Sequence, residues 1–332
     1  MTGEVHAQVQ PVHNVAVSVA SLAGIAEEVG GALVNTSVLL EQEADPHAFT
    51  VTPQILAIAN EADLLVFTGH FHWEEELANQ TSTPFVTFHS EDAWETYEDF
   101  GAEYSPFPGD AEEEGSEHDH DGNPHAFWLL PKNAMAIANA THVALTTLNA
   151  THTDTWNANF AAFVDKMDDL QNLISELDDI HEFSQMRAIV VAPAEAYVAE
   201  AFGIQCEAVL QIDDITISGA KLLEVQTALR NGSVQLIIGS DIAQFQAGGE
   251  FAYQIQADYG GTLIWWKTVF YAEADYFSMM TYNLGALVSG IEGRSGGIID
   301  QTTNIGLLAL TIVLGFIALL EAALLIQRAR AE

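Results

Sequence analysis

Residues 154–181 constrain this chain more than any other stretch. Trp156, Phe160, Phe163, Met167, Leu170, Leu173, Ile174, Leu177 and Ile180 recur at steps of three and four, which puts one apolar stripe on a helix. Thr153 or Asp154 caps its start, and neither proline nor glycine interrupts it. At the helical rise per residue it is roughly 40 Å long, enough to cross a whole domain. One reading is a coiled-coil or bundle helix. The other is a rigid strut joining two lobes, and the pattern on either side favours it.

Before the strut, residues 14–19 (NVAVSV) read as a strand and 21–30 as a helix stopped at Gly30 and Gly31. Residues 32–40 are a second strand, 54–62 a helix, 63–68 (DLLVFT) a buried strand, 85–88 a short strand, and 132–148 a helix opening after Pro131. After the strut come strands at 188–191, 206–212, 234–238 and 262–266, with helices at 195–202, 221–230, 251–259 and 276–291. Strand alternating with helix predicts parallel sheets covered on both faces. The predicted architecture is α/β: an N-terminal lobe over residues 1–150, the connecting helix over 154–181 and a C-terminal lobe over 186–291. Residues 91–125 break the rhythm. They are polar and acidic, contain Pro106 and Pro108, and include an acidic His-rich run at 109–125. They predict a long mobile surface loop with no core.

Composition narrows the function classes. The chain has 47 acidic against 9 basic residues, a formal charge of −38. It repels nucleic acid and anionic lipid surfaces, and its self-repulsion calls for screening by salt or cations, so a salt-rich milieu is the expectation. The lone cysteine, Cys206, rules out an intrachain disulfide and a cysteine-based zinc cluster. The opening MTGEVHAQVQPVHN has no basic run followed by an apolar core, so no signal peptide is expected there. In residues 305–326 only Glu321 is charged, and Arg328 and Arg330 follow. This predicts a single-pass transmembrane helix behind a Gly-rich linker at 292–304, with the main body on the extracytoplasmic side of the cell membrane.

Nothing in the sequence supports an enzyme: GxSxG, HExxH, a Walker A lysine loop and GxGxxG are all absent. The chemistry-bearing feature is the set of twelve histidines. His118, His120 and His125 share the acidic loop, His47 sits in ADPHAF, and His70 and His72 flank Phe71 just past a strand. Neutral imidazole binds zinc and manganese-like ions, and carboxylates complete such sites. Open α/β sheets bind ligands at strand carboxyl ends, where several of these histidines fall. The HDH run between acidic residues suits weak cation capture.

Taken in order, ADPHAFTVTPQILAIANEADLLVFTG, the His-rich loop, NPHAFWLLPKNAMAIANA, the long helix and YFSMMTYNLGALVSGI resemble the zinc/manganese solute-binding proteins of metal ABC transporters, over about residues 15–291. The resemblance implies two α/β lobes joined by one long helix that limits their movement. It implies a Zn2+ or Mn2+ ion between the lobes, and ABC permease and ATPase subunits as partners. It places the first metal ligand on His47 and the second on His125. The third position falls on Ala192 and the fourth on Lys267 or Thr268, so two of the family's four ligands are missing. Glu195, Asp241, His70 and His72 are the residues that can rebuild the site. Asp241 is preferred because it follows the strand VQLIIGS. His118 and His120 form an auxiliary metal-collecting loop.

Three functions are compatible with this reading. The first is a membrane-anchored extracytoplasmic receptor that binds zinc or manganese for an ABC importer. The second is a receptor-like body that has lost its metal and docks on a membrane partner, which Ala192 and Lys267 favour. The third is a binder of a metal chelate, in a widened cleft lined by Trp265 and Trp266.

Overall fold

The computed structural model of the chain describes residues 13–40, 45–110, 122–212, 215–241, 243–245, 247–269 and 275–295. Two separate parallel sheets organise them. The N-terminal sheet holds β1 (His13–Val17), β2 (Val34–Val38), β3 (Leu64–Val66), β4 (Phe85–Thr87) and β5 (Glu95–Thr96), in the order β2-β1-β3-β4-β5. Val15, Ala16, Val17 and all of β3 are buried, which is why these strands read as apolar runs without alternation. The C-terminal sheet holds β6 (Arg187–Val190), β7 (Gln205–Val209), β10 (Leu236–Ser240) and β11 (Thr262–Trp266), in the order β11-β10-β6-β7. The strand expected at 206–212 breaks after β7, and its end forms a small antiparallel pair of β8 (Gln211–Ile212) and β9 (Ile215–Thr216).

The helices follow local signals. α1 (Ala20–Gly30) ends at Gly31, whose φ of 58° only glycine adopts freely. α2 (Pro53–Glu61) starts with proline in its first turn, and the Thr52 hydroxyl accepts from the Ile55 amide. α3 (His72–Gln80) follows β3, and α4 (Pro131–Leu148) precedes the long α5 (Thr153–His181). In the C-terminal half, α6 (Glu195–Ala201), α7 (Gly219–Asn231) and α8 (Ala247–Tyr259) alternate with the strands, and α9 (Tyr276–Ser295) follows. The described residues up to Gly290 belong to one compact unit.

The strut exists at the expected place, with a narrower seam than the sequence suggests. Trp156, Phe163, Met167, Leu170 and Ile174 are its buried residues. They repeat at a seven-residue interval, the spacing of a two-position seam rather than a broad face. Phe160, Leu173 and Leu177 flank the seam, and Ile180 is 69% exposed. The helix packs on α4 and α1. Phe163 meets Phe277 of α9 at 5.0 Å between ring centroids, and Lys166 pairs with Glu28 of α1. Just past its end, buried Phe183 touches Phe202, which in turn meets Trp266 of the C-terminal sheet.

Three expectations need correction or fall elsewhere. Residues 91–110 are not a coreless loop. β5 extends the N-terminal sheet, Tyr97 is fully buried with its hydroxyl donating to the Phe67 carbonyl at 2.7 Å, and Tyr104 stacks on Phe88. Two spaced aromatic side chains anchor a stretch whose average composition is polar. α9 continues to Ser295, into the segment expected to be linker. The membrane span expected at 305–326 lies outside the described residues, among which no helix is long and apolar enough to cross a membrane.

Truncating the seam tests this packing. Trp156→Ala is expected to lower unfolding stability by about 3–5 kcal/mol, and Ile180→Ala by less than about 0.5 kcal/mol, both read from urea titrations at fixed salt.

Candidate metal centre

Both sheets present their working loops at strand carboxyl ends. In the N-terminal sheet, β1 lies between β2 and β3, so the chain reverses direction across the sheet between β1 and β3. Such a switch point opens a crevice at the carboxyl edge. His47 lies in the loop after β2, and His70 lies just past β3. His125 arrives from the other side, ahead of α4.

These three histidines converge. One ring nitrogen from each lies within 4.8 Å of the others. Ring centroids are 4.9 Å apart for His47 and His70, 5.4 Å for His47 and His125, and 4.6 Å for His70 and His125. Tetrahedral zinc with imidazole ligands needs donors about 3.3 Å apart, so a small inward rotation of the rings completes the geometry. His70 is buried and His47 is exposed, which gives the cluster one anchored and one accessible side.

Hydrogen bonds hold the turn that carries His47 and the ring of His125. The Asp45 carboxylate accepts the His47 amide at 2.9 Å. The Trp73 indole donates to the Pro46 carbonyl at 3.1 Å and pins the same turn. Buried Asn123 accepts both the backbone amide of His125 at 3.0 Å and its Nδ1 at 3.1 Å. With Nδ1 donating to the Asn123 oxygen, the ring's lone pair is on Nε2, the usual outer support of a metal-binding histidine. Burial, reinforced by His47, pushes the His125 pKa down to about 3, so its imidazole is neutral across the ordinary pH range, as a metal ligand must be.

The C-terminal half closes the opposite side. A cavity of about 60 Å³ lies at the cluster, and Ala192, Pro193, Ala194, Gln211 and Val269 form its far wall. Val269, and neither Lys267 nor Thr268, reaches the cavity. The backbone of Lys267 is held in two bonds by Asn283. Trp265 and Trp266 do not line it either: Trp266 is buried against Phe202, and Trp265 packs on Tyr253.

Glu195 and Asp241 sit behind that wall and outside the converging group found among the described residues. Glu195, in the first turn of α6, is fully buried and accepts the Ala192 amide at 2.7 Å. Asp241 accepts the amide and hydroxyl of Thr268 at 3.1 and 2.7 Å. Both carboxylates shape the loops that face the cluster. Burial pushes the Glu195 pKa up to about 8; the Asp241 charge adds to the rise, and the Ser240 hydroxyl and the Ala192 amide oppose it. His72 is exposed at the start of α3. His118 and His120 lie outside the described residues. His70 was legible only as one substitute among four. Its signal was a histidine immediately beyond a buried strand, at the switch point of the sheet.

The chain matches the family model described as ZnuA, zinc-uptake complex component A periplasmic, over residues 15–290. It belongs to this family. Among curated relatives, the zinc-binding lipoprotein AdcA of Streptococcus pneumoniae (strain ATCC BAA-255 / R6) is 23% identical over 220 residues, which cover 64% of this chain and 42% of AdcA. The match thus spans less than half of that relative's length. The crystal structure of ZnuA superposes with a TM-score of 0.66 at 20% identity, covering 84% of this chain and 99% of the other. A zinc-bound ZnuA deletion mutant gives 0.65 at 21% identity, covering 83% and 97%. The Mn-bound periplasmic metal-binding protein of Candidatus Liberibacter asiaticus gives 0.61 at 19% identity, covering 84% and 99%. At these identities the likeness is one of fold. The ZnuA fold accounts for the parallel sheets, their flanking helices and the long α5.

The Glu195 carboxyl yields a pH prediction for the metal-free protein. Its folded pKa lies above the ordinary 4.5, so the folded chain keeps a proton that the unfolded chain releases. The stability from this group is complete below about pH 4.5 and is lost as pH rises toward 8. Glu195→Gln is therefore expected to gain stability over wild type across that window, on the order of a few kcal/mol at its upper end. Urea unfolding at several pH values and constant ionic strength measures it.

Proposed function

We propose that this chain is the extracytoplasmic zinc-binding receptor of an ABC importer, with His47, His70 and His125 as the metal ligands. The convergence of three imidazoles carries this reading. Three neutral nitrogen donors suit zinc, whereas manganese is better served by carboxylate oxygen, so zinc is the preferred cargo of the two. His70 supplies the donor missing at Ala192, which removes the main argument for a receptor that has lost its metal. The cavity at the cluster is small, about 60 Å³, where one water needs about 10–15 Å³ of such space; this suits a hydrated ion better than a bulky chelate.

In this reading Glu195 and Asp241 frame the wall that covers the ion rather than ligate it. His118 and His120 gather cations and pass them to His47, the exposed member of the trio. The permease and ATPase are the partners of the loaded form, and residues 305–326 hold the body at the membrane.

The test is a zinc titration of the purified protein at high salt, with metal content read by mass spectrometry. One ion per chain is expected. His47→Ala, His70→Ala and His125→Ala should each weaken it by at least about 100-fold, beyond the 10- to 100-fold typical of outer-shell changes. Asp241→Asn should weaken it far less. Binding that survives all three histidine substitutions would sink the assignment.

A further inference from the structure

His70 differs from the other two donors in how it is held, and the difference points to Glu74. The Glu74 side chain is 2% exposed and folds back over the segment that carries His70. One carboxylate oxygen accepts the Thr68 amide at 2.8 Å. The other accepts the amides of Gly69, His70 and Phe71 at 2.8, 3.1 and 3.2 Å. The Thr68 hydroxyl lies 3.0 and 2.8 Å from the two oxygens. A single carboxylate thus collects four successive backbone amides.

This arrangement uses an anion for what only an anion does well. A carboxylate is all acceptor, so both oxygens can face converging N–H groups. Glutamine would turn an NH2 group against one set of donors. Glu74 is also at the third position of α3, where the helix dipole favours negative charge and the side chain returns to the Phe71 amide. Even so, burying a carboxylate is expensive, and burial does raise the Glu74 pKa despite the hydrogen bonds from Ser18, Thr68 and Phe71 that lower it. The segment it holds is tightly constrained from the other side too. Gly69 has φ +80°, and a Cβ there would come within 2.6 Å of the Thr87 hydroxyl.

We propose that Glu74 is the positioning residue of the metal centre: its carboxylate fixes the path of residues 68–71 and thereby sets the His70 ring against His47 and His125. The inference rests on the three-histidine reading given above. It assigns Glu74 no contact with the ion and makes its whole effect on affinity pass through His70.

A double-substitution cycle tests this. Zinc affinity is measured by competition with a chromophoric chelator for wild type, Glu74→Gln, His70→Ala and the double variant, alongside metal-free melting curves. Glu74→Gln is expected to weaken zinc binding by about 10- to 100-fold, the range for outer-shell partners of metal ligands. In the His70→Ala background the same change should add nothing. Gly69→Ala, which disturbs the segment from the opposite face, should behave in the same way and serves as the second variant if Glu74→Gln folds poorly. Wild-type affinity in both variants, or an equal loss with and without His70, would overturn the positioning role alone. No zinc binding by wild type, or full binding by His70→Ala, would overturn the three-histidine reading and this inference with it.

Discussion

Everything at the metal centre depends on the parallel pairing of the first strands. β1 pairs with β2 through Val17 and Val38, and with β3 through Val17 and Val66. The three strands therefore end level, and the chain leaves β2 and β3 at the same edge. That register brings His47 and His70 together although 23 positions separate them (70 − 47). The C-terminal sheet repeats the device. β6 lies between β10 and β7, so the Ala192–Ala194 turn and Asp241 also emerge at a carboxyl edge. The burial that makes these strands apolar is what keeps the register from slipping.

A molecule with a formal charge of −38 builds its candidate centre from neutral rings. The buried acids stand one layer back: Glu74, Glu195 and Asp241 bind backbone amides and hydroxyls. This division has a physical logic. Carboxylates order loops by accepting several N–H groups at once, whereas imidazoles offer a single lone pair each, aimed by what holds the ring. Surface charge and site chemistry are therefore separate properties of this chain, and the first gives no measure of the second.

Much of the architecture was legible in the sequence, and the reasons are specific. The strut announced itself through uninterrupted spacing from Trp156 to Ile174. The strand-helix alternation carried the central strands to within a few residues, because β1, β3, β6 and β10 are largely buried, while the two-residue β5 escaped it. The resemblance of the segments around His47 and His125 to a known family marked those two positions. Within the stretch 91–125, residues 91–110 were misread because Tyr97 and Tyr104 are anchors without a period, visible only once Phe67 and Phe88 stand beside them. His70 stood only as one of four substitutes for a similar reason. Its place beside His47 and His125 comes from a sheet register, which has no signature in a linear string. Asp241 was preferred because a strand-end acid is a common ligand; in the fold one of its carboxylate oxygens accepts the Thr268 amide and hydroxyl.

The seam between the halves carries one more meaning. The Ser105 amide donates to the Tyr197 hydroxyl, which donates to the Asn123 carbonyl, and the Asn123 side chain donates to the Pro193 carbonyl. The same Asn123 side chain aims the His125 ring. Seam and ring thus share a single amide as their common fastener. A change that reorients the Asn123 amide therefore reaches the His125 ring and the Pro193 turn together.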